Sequence, residues 1–363
     1  MELDLFSILL NDIFFIKKHG LDLEKNIMIK PNSLNDSVFF AWTRVSRRSE
    51  QMAKYFGLSY IRYNRFGQSP IPLLGSLILN FIKTCLWVVI NRPKYVFTFQ
   101  AHPFITISAI LGTWIARKGI VIPDLHTASY TDHFSGIQGA LSKWIWTLCP
   151  VILIHNPESK EYLSKIIPEI KNNLFVLEDA LPAFPKSNNQ FDDSKLKCAL
   201  ISRFADDEPI EKFLNAVLTI DDCHFYVTGN SKKANFDISK FSSNITFTDF
   251  LSDENYLNLL QSTDFLVILT TRELTLLSGG YESLALKKPM IVSDTRTLRE
   301  YFGDGAIYTL NNEKSISNSI RAIIPKLDFQ KTVISNLLED KKKDWNSKAK
   351  KLLQILSQFT EIN

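Results

Sequence analysis

The stretch Ser278-Gly279-Gly280-Tyr281-Glu282 sets two glycines at a helix start and a carboxylate within the first turn. First-turn N–H groups lack intrahelical partners and carry a partial positive charge, so backbone without side chains there can seat a phosphate. Glu282, further in, can accept from hydroxyls. Paired glycines also begin ordinary helices, and a plain turn stays open on this stretch alone. Asp124 and His126, in "PDLHTASYTDH", follow the apolar run "GIVIPD". A carboxylate or imidazole at a strand end can take a proton from a reacting hydroxyl; a loop cap and a satisfied polar group are the alternatives. Arg44, Arg47 and Arg48 flank Ser46, a suitable N-cap. Cations in a first helical turn oppose the macrodipole, which points to an anionic partner nearby; pairing with Glu50 is the alternative.

These groups need elements to hold them. From residue 37 onward short β-rich runs alternate with helical patterns: "SVFFAW", "SYIRY", "KYVFTF", "GIVIPD", "PVILIHN" and "NLFVLED". That is βαβ patterning, which builds a parallel sheet covered on both faces. Residues 183–195 are polar, hold Pro185 and lack periodicity, as a linker does. The alternation then restarts through "KCALISRF", "CHFYVTG", "NITFTDF", "DFLVILT", "PMIVSD" and "AIYTL". The chain therefore divides into a helical extension (1–36), a first Rossmann-like domain (37–182), the linker, a second Rossmann-like domain (196–325) and a helical tail (326–363) with one packed face. Ligands of such α/β sheets bind at the carboxyl ends of strands, so the crevice between the two domains is the default site.

A chain of 363 residues exceeds what one core organises, and 45% hydrophobic with 22% charged residues describes a folded protein. The net charge of +4 suits anionic small ligands or an anionic membrane surface and is too diffuse for nucleic acid. Cys85, Cys149, Cys198 and Cys223 lie far apart in apolar runs, with neither metal-ligand spacing nor a disulfide framework, so a reduced, cytoplasmic chain is expected. The first residues carry Glu2, Asp4 and Asp12 without a basic leader pattern, against a secretory signal. The apolar run from Pro72 to Ile90 approaches spanning length but is broken by Asn80 and Lys83; a buried or surface-lying helix is expected instead.

The run "TRELTLLSGGYESLALKKPMIVSDTRTLREYFGDGAIY", with "ISRFADDEP" upstream, resembles the donor half of GT-B glycosyltransferases of the family 4 type. "AWTRVSRRSEQMAKYFG", "FQAHPF" and "PDLHTASY" resemble its acceptor half. The resemblance implies two tandem Rossmann-like α/β domains facing across a cleft, with a nucleotide-sugar donor in the second and an acceptor in the first. It gives Glu282 the ribose hydroxyls and makes the Gly279/Gly280 helix start the seat of the diphosphate, with Ser278 and Tyr281 also on the donor side and Arg203 supplying a fixed charge. It gives Glu273 a sugar contact; for Arg44, Arg47 and Arg48, read above from the macrodipole, a lipid-linked diphosphate acceptor or the membrane surface would serve as the anionic partner. Asp124 and His126 become the catalytic candidates. Two departures stand out. The family's paired acids usually enclose seven residues, whereas eight separate Glu273 from Glu282 and Leu274 holds the expected place. Many members carry a lysine shortly after the arginine, and here "DDEP" follows Phe204.

The resemblance thus implies a metal-independent glycosyltransferase without a cofactor beyond its donor. It would serve a lipid-linked or oligosaccharide acceptor in polysaccharide, lipopolysaccharide or capsule synthesis, as a peripheral protein at the inner face of the cell membrane. A nucleotide-sugar 2-epimerase shares the layout and needs no acceptor. A catalytically silent GT-B-like partner subunit is the third reading.

Overall fold

Val38, Phe39, Phe40 and Ala41 are all buried and form β1 (Val38–Ala41). A strand apolar on both faces belongs inside a parallel sheet with helices on either side. In the computed structural model, which describes residues 34–43, 46–63, 70–132, 134–185, 195–241 and 244–359, β1 pairs in parallel with β2 (Ser59–Arg62) and β3 (Tyr95–Gln100). With β4 (Ile120–Leu125), β5 (Ile152–Ile154) and β6 (Leu174–Val176) the sheet runs β2-β1-β3-β4-β5-β6, parallel throughout. Its crossovers are α1 (Arg47–Phe56), α2 (Pro70–Asn91), α3 (Pro103–Ala116), α4 (Gly136–Thr147) and α5 (Pro157–Ile166).

The second sheet contains β7 (Leu196–Leu200), β8 (Cys223–Thr228), β9 (Ile245–Asp249), β10 (Phe265–Ile268), β11 (Met290–Ser293) and β12 (Ile307–Thr309). Its order is β12-β11-β10-β7-β8-β9, again all parallel. The crossovers are α6 (Ile210–Val217), α7 (Asp253–Ser262), α8 (Ser278–Leu286), α9 (Arg296–Phe302) and α10 (Glu313–Ile323). All twelve strands coincide with the runs read from the sequence. Each sheet reverses its order once, between β1 and β3 and between β7 and β10. Loops leaving the strands on either side of a reversal diverge to opposite faces and open a crevice. Arg47 and Arg48 follow one flank of the first reversal, and Arg203 and α8 follow the two flanks of the second.

The tail forms one long helix, α11 (Leu327–Gln358). Its single packed face serves both sheets: Ile334 and Leu338 join the core of the second, while Trp345, Ala349, Leu352 and Leu356 join that of the first. Trp345 Nε1 donates to the Glu178 carbonyl at 2.9 Å and Lys348 Nζ to the Glu178 carboxylate at 2.7 Å. Residues 1–33 of the expected extension, residues 186–194 of the expected linker, Arg44 and His133 lie outside the described residues.

Candidate active site

At the end of β4 the side chains of Asp124 and His126 part company. Asp124 is fully buried and its carboxylate receives three N–H contacts from Arg48: Nε to both oxygens (3.1 and 2.8 Å) and Nη2 to Oδ1 (2.7 Å). Arg48 also donates to Asp179 Oδ1 and the Leu177 carbonyl, each at 2.8 Å. Burial works against the Arg48 charge, but Asp124 and Asp179 outweigh it and raise its pKa. This corrects two expectations. Asp124, sealed under a bidentate guanidinium, is not placed to accept a substrate proton, and Arg48 is not on the acceptor surface. Together they tie the start of α1 to β4 and to the chain after β6.

His126 lies at the crevice, its ring edge-on to Phe99 with centroids 5.6 Å apart. Its Nδ1 accepts the Ala128 N–H at 3.3 Å, which leaves the proton of the neutral ring on Nε2. Burial lowers the His126 pKa, partly offset by Asp124 and Asp179, so the neutral form holds at pH 7. A neutral imidazole with Nδ1 engaged is a hydrogen-bond donor at Nε2, so the general-base role expected from sequence gives way to that of a donor. Arg272 and Arg203, from the second domain, add to that lowering.

Glu282 is nearly buried in α8. Because α8 begins at Ser278, Glu282 is in the second turn and not the first. Tyr256 Oη donates to its Oε2 at 2.6 Å, and Arg47 Nη1 reaches across the crevice to Oε1, also at 2.6 Å. Arg47 lies within 3.6 Å of Asp253 as well. Burial raises the Glu282 pKa while Tyr256 and Arg47 pull it back. Arg47, expected on the acceptor side, is therefore engaged at the ribose candidate.

The paired glycines have a packing reason. A Cβ on Gly279 would sit 3.0 Å from Ile201 Cδ1 and Ile268 Cγ1, and one on Gly280 would sit 2.6 Å from Phe302 Cζ. The helix start thus lies directly on the ends of β7 and β10 and against α9, with Ser278 exposed at its tip. Tyr281 is buried and its Oη accepts the Asp179 N–H at 3.3 Å, so it fastens the seam between the sheets and leaves the donor side.

Arg203 is 80% exposed in its side chain, with Nε 3.8 Å from Glu208. Glu208 also takes the Arg203 and Ala205 N–H groups, at 2.8 and 3.1 Å, so an acid folds the loop that follows Arg203. Leu274, where the resemblance led one to expect an acid, adopts φ 58° and gives its carbonyl to Asn156 Nδ2 at 2.9 Å. Its side chain packs into the first domain beside Leu125 and Tyr130. Glu273 accepts the Arg296 N–H and stands near Glu158 and Asp294; burial first, then Glu158, raises its pKa.

Sequence reasoning missed His155, Asp179 and Arg272. His155 follows β5, with its side chain 14% exposed and Nε2 3.7 Å from Asp124 Oδ1; burial and Arg48 push its pKa down to about 4. The signal was there, since "PVILIHN" ends a strand as "GIVIPD" does. Arg272 spans Asp132 Oδ2 at 3.1 Å and Asp207 Oδ1 at 3.5 Å, joining the two domains. Among the described residues no group of three or more His, Cys, Asp or Glu is gathered to hold a metal.

No family model matches the sequence, and no curated protein matches it. Solved structures do match. A sucrose-phosphate synthase from Thermosynechococcus elongatus superposes with a TM-score of 0.71 at 12% identity, over 90% of this chain and all of that one. Anabaena Alr3699/HepE in complex with UDP and glucose gives 0.66 at 10% identity, over 89% of this chain and 99% of its own. The chain has the GT-B fold. A third GT-B structure, the apo form of the lipopolysaccharide outer core galactosyltransferase WaaB, gives 0.56 at 12% identity over 86% of this chain and 98% of that one. Identities this low carry the fold and not the chemistry.

Proposed function

We propose that this GT-B protein transfers a sugar from a nucleoside-diphosphate sugar, held by the second domain, to a lipid-linked or polysaccharide acceptor held by the first. The observation that carries the reading is Glu282: a nearly buried carboxylate at the strand-order reversal, oriented by Tyr256 and met by Arg47 from the other domain. Two adjacent ribose hydroxyls match a carboxylate's two acceptor oxygens. The start of α8 and Arg203 would neutralise the diphosphate without a metal. Alr3699/HepE, of the same fold, is solved with UDP-glucose, which supports a uridine donor. WaaB, of the same fold, is a lipopolysaccharide outer core galactosyltransferase, which supports a place in surface glycan assembly.

Glu282→Gln removes the charge but keeps size and an acceptor for Tyr256. Calorimetry with UDP-glucose and UDP should show roughly 10- to 150-fold weaker binding, the worth of about 1.5 to 3 kcal/mol for a charge-assisted bond. Unchanged affinity in the folded variant would sink the ribose assignment.

Tyr256 and Arg47 each take one Glu282 oxygen, so a ribose hydroxyl would compete with Arg47 at Oε1. Arg47 is about half exposed, so its ion pair is screened and worth about 1 kcal/mol. Arg47→Ala should therefore tighten donor binding by roughly 3- to 10-fold. Weaker binding would instead make Arg47 a donor contact.

A further inference from the structure

Helix α2 is built inside out. Its buried row is Ser76, Asn80, Thr84 and Val88, with Trp42 Nε1 donating to Thr84 Oγ1 at 3.1 Å. The row facing away from the sheet is Leu74, Ile78, Ile82, Leu86 and Ile90, a run of large aliphatic side chains every fourth residue, with Leu74 61% exposed. A helix on a water-facing surface has the opposite arrangement.

The neighbouring helices continue this surface. Gly112 lets α3 approach α2 so closely that a Cβ there would lie 2.8 Å from Val88 Cβ. On the outer side of α3, Trp114 is 75% exposed and Ile115 is also bare; on α4, Ile137 and Trp144 are exposed. Exposed large apolar patches of this kind mark interaction sites. The stretch Leu74–Asn91 is apolar and long enough to cross a membrane, with mean hydropathy 1.6. It is nonetheless held flat, because β3, immediately after it, pairs with β1 and β4 inside the sheet.

Charge says what covers this face. Residues 51–123 contain eight Lys and Arg and no Asp or Glu, so the rest of a chain with net charge +4 carries −4. Arg92, Lys94, Arg117 and Lys118 gather where α2 and α3 end, since the Ile120 N–H donates to the Lys94 carbonyl at 3.1 Å. All four are exposed. They also suit the carbonyl ends of two helices, but helix ends do not call for aliphatic rows pointing outward.

We infer that the outer face of α2, α3 and α4 beds into the headgroup layer of an anionic bilayer. Its aliphatic row and two tryptophans enter the acyl boundary and its basic end meets lipid phosphates. This rests on the transferase reading only in naming where the acceptor would be met; the surface itself stands apart from the crevice.

The test is sedimentation of the full chain with phosphatidylcholine vesicles, with and without phosphatidylglycerol, alongside calorimetry with UDP-glucose. The wild type should pellet with anionic vesicles and release as salt rises. Ile82→Ser/Trp114→Ser, which alters side chains already exposed, should lose at least about tenfold in partitioning. Arg117→Glu/Lys118→Glu should weaken binding and flatten its salt dependence. Failure of the wild type to pellet, or an apolar variant that pellets like it, overturns the proposal. So does a dimer in solution that Ile82→Ser/Trp114→Ser disperses, since the face would then belong to a second copy. Vesicle binding without nucleotide-sugar binding would uphold the face and sink the transferase reading.

Discussion

His126→Asn should lower turnover, measured as nucleoside diphosphate released from nucleotide sugar, by on the order of 10²- to 10³-fold, the usual effect of removing one preorganised donor. Asparagine keeps an acceptor for the Ala128 N–H and so spares the short turn that Nδ1 caps. What it removes is the Nε2–H donor left by the engagement of Nδ1. Donor affinity should change far less than turnover, because an interaction that strengthens as the leaving group separates acts on the transition state. The pH profile carries the second signature. Burial depresses the imidazole, so activity should hold through neutrality and fall only below the ordinary imidazole value of about 6.5, as the protonated ring loses its acceptor for Ala128. Wild-type turnover in a folded variant would return His126 to a structural role.

Arg48→Met is the largest stability effect expected, about 3 to 5 kcal/mol, because it strips the buried Asp124 and the nearby Asp179 of their shared guanidinium. The loss should show as a lower urea midpoint with unchanged m value. Removing both charges separates an unpaired-charge penalty from lost packing: Arg48→Met/Asp124→Leu should recover much of the loss. Arg48→Met with wild-type stability, or a double variant as unstable as the single, would mean that the ion pair does not hold α1 to β4.

Arg47 and Arg48 show where reading the sequence reaches its limit. Both were recognisable as cations at a helix start behind a capping Ser46, and that much is local. Neighbours on a helix point about 100° apart, so one enters the sheet and the other crosses the crevice. Their partners, Asp124 and Glu282, are 76 and 235 residues away. No local pattern distinguishes the two. His155 lay within reach of the strand-end argument that found His126, whereas Asp179 and Arg272 acquire meaning only through contacts between domains.

The sequence by itself determined the twelve strands, the two parallel sheets and the strand ends that carry His126, Arg203 and the start of α8, because period and turn chemistry are properties of neighbouring residues. Only the tertiary structure decided that Gly279 and Gly280 are demanded by Ile201, Ile268 and Phe302, that Leu274 plugs the first domain, and that α11 completes both cores. It also decided which row of α2 faces outward. An apolar period states that a helix has a face to cover, but what covers it depends on packing between residues distant in the chain.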